Sequence, residues 1–225
     1  MELSSFTMQV LKNFASINSN IVIHPGNVIK TMSEAKNILG HAVVTENFPR
    51  TIGIYDLPEL LSILMLVDTP RIRFEETHML IGDSSGRTQV KYFFSDPEML
   101  TTPAKSIAEP TGDVTFTLDQ TTLNSLKRAA SALGHSEVSI TPSNRAITLS
   151  VMDKSNSTSN TYSIDVDGEY NSDDFNFILN INNLRMIAGD YNVRLASNLV
   201  SQFTNTSENL RYWVALEKTS TYRSK

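Results

Sequence analysis

Apolar residues recur at helical spacing in two places along the chain. Met8, Leu11 and Ala15 fall on one side of a helix that opens behind Ser4. Leu123, Leu126, Ala130 and Leu133 do the same behind Asp119. Steps of three, four and seven residues return a side chain to the same face of an α-helix, and Ser and Asp are side chains that accept from the unpaired N–H groups of a first turn. The two segments also match each other. Shifted by 115 positions, Leu3 falls on Leu118, Thr7 on Thr122, Met8 on Leu123, Leu11 on Leu126, Lys12 on Lys127, Ala15 on Ala130 and Ser16 on Ser131. A second pair lies at a shift of 124, where residues 54–60 parallel residues 178–184. Each reads as a short apolar strand running into a helix capped by Asp56 or Asn180, and Pro58 and Glu59 strengthen the first of these starts. The difference between the shifts assigns a longer loop to the second half, with residues 154–160 as the candidate. An internal repeat of this kind fixes architecture before any single element does.

Alternating apolar and polar residues predict short strands around these helices. In the first half they cover residues 20–24, 28–32, 71–75, 78–81 and 89–94, and in the second 137–141, 146–152, 161–166, 191–196 and 212–217. Turn-forming sequences such as Pro142-Ser143-Asn144 and Ala188-Gly189-Asp190 separate several of them. Each half thus reads as two helices and several antiparallel strands. Three prolines between Ser95 and Gly112 mark a linker, which gives an N-terminal domain over 1–97, a connecting segment over 98–112 and a C-terminal domain over 113–225.

Composition narrows the functional classes. Apolar residues make up 40% and charged residues 19%, the balance of a globular chain. The longest apolar run, Leu60 to Val67, is interrupted by Ser62 and too short to span a bilayer, so no membrane association is expected. The first five residues carry no basic segment of the kind that directs secretion. Cysteine is absent, which excludes disulfides, thiolate metal sites and cysteine nucleophiles. The net charge is −5, and residues 1–110 carry 9 basic and 12 acidic side chains against 10 and 12 in residues 111–225. Neither half is a basic domain, so contact with nucleic acid must come from a local cationic face.

No catalytic constellation is legible. His24, His41, His78 and His135 are scattered, without the paired spacing of a zinc site, and no phosphate-binding glycine loop or nucleophile elbow occurs. Asp165, Asp167 and Glu169, followed by Asp173 and Asp174, lack the twelve-residue pattern of a calcium loop and read as a strand end entering a solvated turn. Asp56 and Glu59 are explained as helix-capping residues. No cofactor and no metal are expected.

The polar faces of the two repeated helices are more informative. Ser5, Gln9, Lys12 and Ser16 form one stripe, and Gln120, Asn124, Lys127 and Ser131 form its counterpart, with Arg128 beside it. Both are small and polar, both place a lysine at the same position, and neither holds an acid beyond its cap. A solvated helix face explains either stripe alone. Their recurrence suits loose, sequence-independent contact with phosphates, and the stripes offer few groups for reading bases.

With these features in view, residues 11–19, 54–57, 175–178 and 214–217 resemble the DNA polymerase sliding clamps of T4-like bacteriophages, with the likeness running in order along the whole chain. The resemblance implies an α+β DNA-clamp fold: two similar domains, each with two helices packed on antiparallel sheet, in a head-to-tail homotrimeric ring with helices lining a hole for duplex DNA. It implies a processivity factor that hydrolyses nothing. Implied partners are double-stranded DNA, the C-terminal tail of the polymerase, a clamp loader ATPase, and a late-transcription sigma factor and co-activator, in the cytoplasm of an infected bacterium. Carried over position by position, Lys12, Lys127 and Arg128 face DNA, with Arg185 in the fourth helix as a further candidate. Ile107, Pro110, Trp213 and Val214 are expected to contribute to a pocket for partner tails, and the strand near residues 91–94 to the subunit seam or to the core. Two other readings are a structural or scaffold virion protein without DNA-tethering activity, and a metal-dependent hydrolase using Asp165, Asp167 or Glu169.

Overall fold

The computed structural model describes residues 1–103, 108–144, 146–156 and 158–223. The chain divides into two compact units, residues 1–106 and 107–225.

The first unit opens with α1 (Ser5–Ile17), followed by β1 (Ile21–Ile23), β2 (Gly26–Met32), β3 (Ile38–Phe48) and β4 (Ile52–Ile54). Then come α2 (Leu57–Leu66) and the strands β5 (Arg71–Phe74), β6 (His78–Gly82) and β7 (Gln89–Phe93). All strand pairs are antiparallel: β1 with β4, β2 with β3, and a three-stranded sheet in the order β5-β6-β7. The core forms where α1 and α2 turn their apolar faces inward. Val10, Leu11, Phe14 and Ile17 of the first helix and Leu57, Leu60, Leu61 and Leu64 of the second are buried with Ile29, Ala42, Val44, Met79 and Ile81 from the strands. Phe14 fits against β3 because position 40 is glycine; a Cβ there would stand 2.7 Å from the Phe14 ring.

The second unit runs β8 (Val114–Leu118), α3 (Gln120–Leu133), β9 (Glu137–Ser143), β10 (Ala146–Met152), β11 (Tyr162–Val166), β12 (Gly168–Tyr170) and β13 (Phe175–Asn180). It closes with β14 (Tyr191–Ala196), β15 (Val200–Asn205), β16 (Leu210–Ala215) and β17 (Thr221–Tyr222). One antiparallel sheet has the order β11-β10-β9-β13-β17, and five more strands run β12-β8-β14-β15-β16. Leu123, Leu126 and Ala130 of α3 are buried with Val138, Ile140, Ile147, Leu149, Val151 and Phe177. Gly134 ends α3 in the left-handed region at φ 70, where glycine carries no Cβ penalty.

The repeat read from the sequence is a repeat of local structure. Ser4 Oγ accepts from Thr7 N–H at 3.2 Å, and Asp119 Oδ1 from Thr122 N–H at 2.6 Å. Downstream, Leu57 N–H donates to Ser19 O at 2.7 Å and Ile181 N–H to Ser136 O at 2.8 Å, so each second helical element is anchored just past the first.

The expected α+β arrangement of two units, each with helices packed on antiparallel strands, stands with one correction. The fourth helix is a single 3-10 turn, Ile181–Asn183, after which the chain leaves helical geometry. Asn180 Oδ1 accepts from Asn182 N–H at 3.0 Å, an Asx turn that competes with helix growth. Further on, Ile187 is held through both backbone groups. Its N–H donates to Tyr212 Oη at 3.3 Å, and its carbonyl accepts from Tyr191 Oη at 2.6 Å. Both tyrosines are fully buried, so these bonds are shielded from water. Leu57–Leu66 meets no such competition and has Pro58, Glu59 and a run of leucines to extend it.

The strand expectations hold for β1, β2, β5, β6, β7, β9, β10, β11, β14 and β16 to within a few residues. The longest strand, β3, was not expected. Its inward row includes Gly40 and the carboxylate Glu46, which hide the alternation.

Candidate nucleic-acid interface

The two helices present the stripes expected of them. On α1, Ser5, Gln9, Lys12 and Ser16 are all exposed, while Thr7, Val10, Leu11, Phe14 and Ile17 are buried on the opposite side. On α3, Asn124, Arg128 and Ser131 are exposed and Gln120 and Lys127 are half-buried. No acidic side chain lies within either helix.

Both stripes are held by contacts outside the helices that carry them. Glu46 reaches from β3 to the start of α1, accepting from the backbone N–H of Ser4 and the hydroxyl of Thr7. Burial pushes this carboxyl up, but the Ser4 and Thr7 hydrogen bonds outweigh it and hold the group below the usual glutamate value. A negative charge at a helix N-terminus also meets the positive end of its dipole. On α3, Gln120 N–H donates to Asp190 Oδ1 at 2.8 Å, and Gln120 Oε1 accepts from Gly189 N–H. The Gln120 amide nitrogen donates to Asn124 Oδ1 at 2.8 Å, fixing the first two residues of the stripe. No sequence pattern points to Glu46 or Asp190, because each acts across a long loop.

The cations differ in setting. Lys12 stands exposed. Partial burial draws the Lys127 ammonium below the ordinary lysine value through lost hydration, so a phosphate oxygen at that point would replace solvent. Arg128 Nη2 lies 3.3 Å from Ser125 Oγ, leaving the rest of its guanidinium fork facing out. Arg185 does not sit on a helix face. It follows the 3-10 turn, exposed, with Nε donating to Asn182 O at 3.2 Å. Chemically, the stripes supply ammonium, guanidinium, hydroxyl and amide donors without carboxylates. They can hold phosphates at several registers and discriminate little among bases.

The residues expected to form a partner pocket are placed differently. Ile107 lies outside the described residues. Pro110 and Trp213 are buried and Val214 has no exposed surface, its carbonyl accepting from Ser201 Oγ at 2.7 Å. Val214 therefore cannot touch a partner while the sheet is intact. In the strand near residues 91–94, Tyr92 is buried in the core, while Phe93 is 62% exposed with Lys91 Nζ 4.8 Å from its ring centroid. Asp165 is taken up by Thr148 Oγ1 at 2.5 Å, and among the described residues no cluster of histidines and carboxylates could hold a metal ion.

The chain is similar to known proteins along its whole length. A family described as DNA polymerase processivity factor matches residues 4–91, and one described as gp45 sliding clamp, C terminal, matches residues 115–218. The sliding clamp of Vibrio phage KVP40 is 32% identical over 223 residues, covering 96% of this chain and 99% of that protein. The sliding clamp of Enterobacteria phage T4 is 30% identical over 229 residues, covering 99% of each. Among solved structures, A. fulgidus PCNA bound to the C-terminal region of FEN-1 aligns with a TM-score of 0.69 at 13% identity, covering 100% of this chain and 98% of that one. PCNA from Thermococcus kodakaraensis gives a TM-score of 0.68 at 14% identity, covering 93% and 95%. At that identity the likeness concerns the fold alone. The phage relatives, matched from end to end, carry more: the chain belongs to the sliding clamps of T4-like bacteriophages and is a DNA polymerase processivity factor.

Proposed function

We propose that three copies of the chain close head to tail into a ring around duplex DNA, with α1 and α3 of each copy on the inner wall. The observation that carries this is the matched pair of acid-free stripes, with Lys12 on one helix and Lys127 and Arg128 on the other, in a protein whose net charge is −5. An acidic body with cationic inner stripes is repelled by DNA everywhere except along the channel, so it is held by topology and slides with little friction. Arg185 is retained as an accessory contact. The ring performs no chemistry and needs no cofactor. The scaffold reading is not favoured, because the relatives matched along the whole chain are sliding clamps.

In this reading the edge strand β7 forms part of the subunit seam, since an unpaired strand edge readily accepts another strand. The second unit receives the tail of the polymerase, a clamp loader ATPase opens and closes the ring, and a late-transcription sigma factor and co-activator use the same platform, all in the cytoplasm of the infected host. Changing Lys12, Lys127 and Arg128 together to glutamate tests the DNA face. The expected result is loss of processive synthesis with an unchanged melting temperature and unchanged assembly; full processivity would refute the assignment.

A further inference from the structure

On the sheet face that carries Arg194, the second unit holds an ion-pair arrangement that the sliding function leaves unused. Glu109, in the segment before β8, places Oε2 3.4 Å from Arg194 Nη1 and Oε1 2.9 Å from Arg211 Nη1. Arg194 is in register with Gln202, and Gln202 with Trp213; in the next row Asn192 pairs with Thr204, and Thr204 with Arg211. The two guanidiniums therefore rise from strands on either side of β15, in adjacent rows of one face, and a single carboxylate bridges them. The segment bearing that carboxylate lies close by. Pro110 is buried, and a Cβ on Gly112 would stand 3.7 Å from Arg194 Cδ. In the same row as Arg194, Gln202 is 2% exposed, and its Nε2 has no hydrogen-bond partner among the described residues.

Two guanidinium groups converging on one carboxylate make a receptor for that group, because their N–H forks match its geometry. Here the occupant is the chain's own. Glu109 and both arginines are 40% exposed or more, and ion pairs at such exposure contribute little net stability, so another carboxylate can exchange in at small cost. The unsatisfied Gln202 amide adds a donor that gains by meeting an acceptor, since a buried unpaired donor is costly.

We propose that Arg194 and Arg211 form the docking point for an acidic segment of a protein partner, with Glu109 as a built-in competitor. The incoming carboxylate takes the two arginines as the Glu109 side chain turns out to solvent, with Gln202 Nε2 the neighbouring donor in the row of Arg194. This rests on the reading that the second unit receives a tail of the polymerase.

The test uses the full-length protein, with the cognate polymerase as probe and binding measured by calorimetry without DNA. Glu109→Gln removes the competitor, and binding is expected to tighten about 1.5-fold to fivefold, the range of one exposed ion pair. Arg194→Gln with Arg211→Gln is expected to weaken binding by about tenfold or more. Should that pair lower the melting temperature, Arg194→Lys with Arg211→Lys keeps the charges and loses the forks, and a weakening is still expected. Trp213 is the sole tryptophan, so its acrylamide quenching reads the same face without a partner and is expected to rise in Glu109→Gln. Binding equal to or weaker than wild type in Glu109→Gln, or indifference to loss of both arginines, overturns the proposal. If processive synthesis persists in those variants, the clamp reading survives that failure; a wild-type chain that does not bind the polymerase at all overturns the reading beneath it.

Discussion

Glu46, in β3, accepts a hydrogen bond from the hydroxyl of Thr7 in the first turn of α1, 39 positions earlier in the chain. Its other carboxylate oxygen accepts from the backbone N–H of Ser4, so one side chain ties the start of the first cationic stripe to the sheet behind it.

That contact makes acid stability depend on Glu46. Burial opposes the charge, the hydrogen bonds favour it, and the balance lies below the ordinary glutamate value of 4.5. A carboxyl depressed in the folded state stabilises fully above its unfolded pKa, and that contribution disappears as pH falls through the folded one. Glu46→Gln is expected to cost about 1–3 kcal/mol at pH 7, the range for a broken buried hydrogen bond. Denaturant unfolding should show the gap between variant and wild type closing below pH 4.5. A gap that stayed constant with pH would exclude the charge as its source.

Phe14 and Gly40 form a close-packed pair, with the Cβ position of residue 40 only 2.7 Å from the ring. Gly40→Ala is expected to cost about 1–3 kcal/mol, the range for overpacking a core. Phe14→Leu in the same chain should recover part of that loss, so a double-mutant cycle by thermal unfolding should return a favourable coupling energy.

The DNA face predicts a graded salt effect. Binding of the closed ring to circular duplex DNA should weaken as salt rises, and Lys127→Gln should reduce the slope of the logarithmic plot by about one counterion per copy, or up to about three for the ring. Because the contact reads phosphate, the change should be the same for A·T-rich and G·C-rich circles. A variant slope equal to wild type would remove Lys127 from the interface.

Assembly should depend on the exposed side of β7. Phe93 is 62% exposed, so Phe93→Glu is expected to leave the melting temperature of the monomer unchanged. In sedimentation equilibrium it should shift the population from trimer toward monomer. An unaltered trimer would place the seam elsewhere.

The helices α1 and α3, their caps at Ser4 and Asp119, and the two polar stripes were legible in the sequence because each depends on residues within a few positions of one another. The same is true of strands such as β6 and β10, whose alternation is unbroken. Periodicity and capping are local physics, and a repeat doubles the signal.

What escaped the sequence was decided by contacts between distant segments. The strand β3 carries a carboxylate in its inward row because α1 needs an acceptor there, and a glycine because Phe14 needs the space. Residues 184–189 stay out of a helix although their repeat partner forms one, since Tyr191 and Tyr212 hold both backbone groups of Ile187. The Glu109 clasp joins strands whose side chains meet only once the sheet has its register. Local sequence settled α1, α3 and the strands of unbroken alternation; the folded chain alone settled β3, the short fourth helical turn and which polar groups are shielded from water, and burial is what gives those groups their energetic weight.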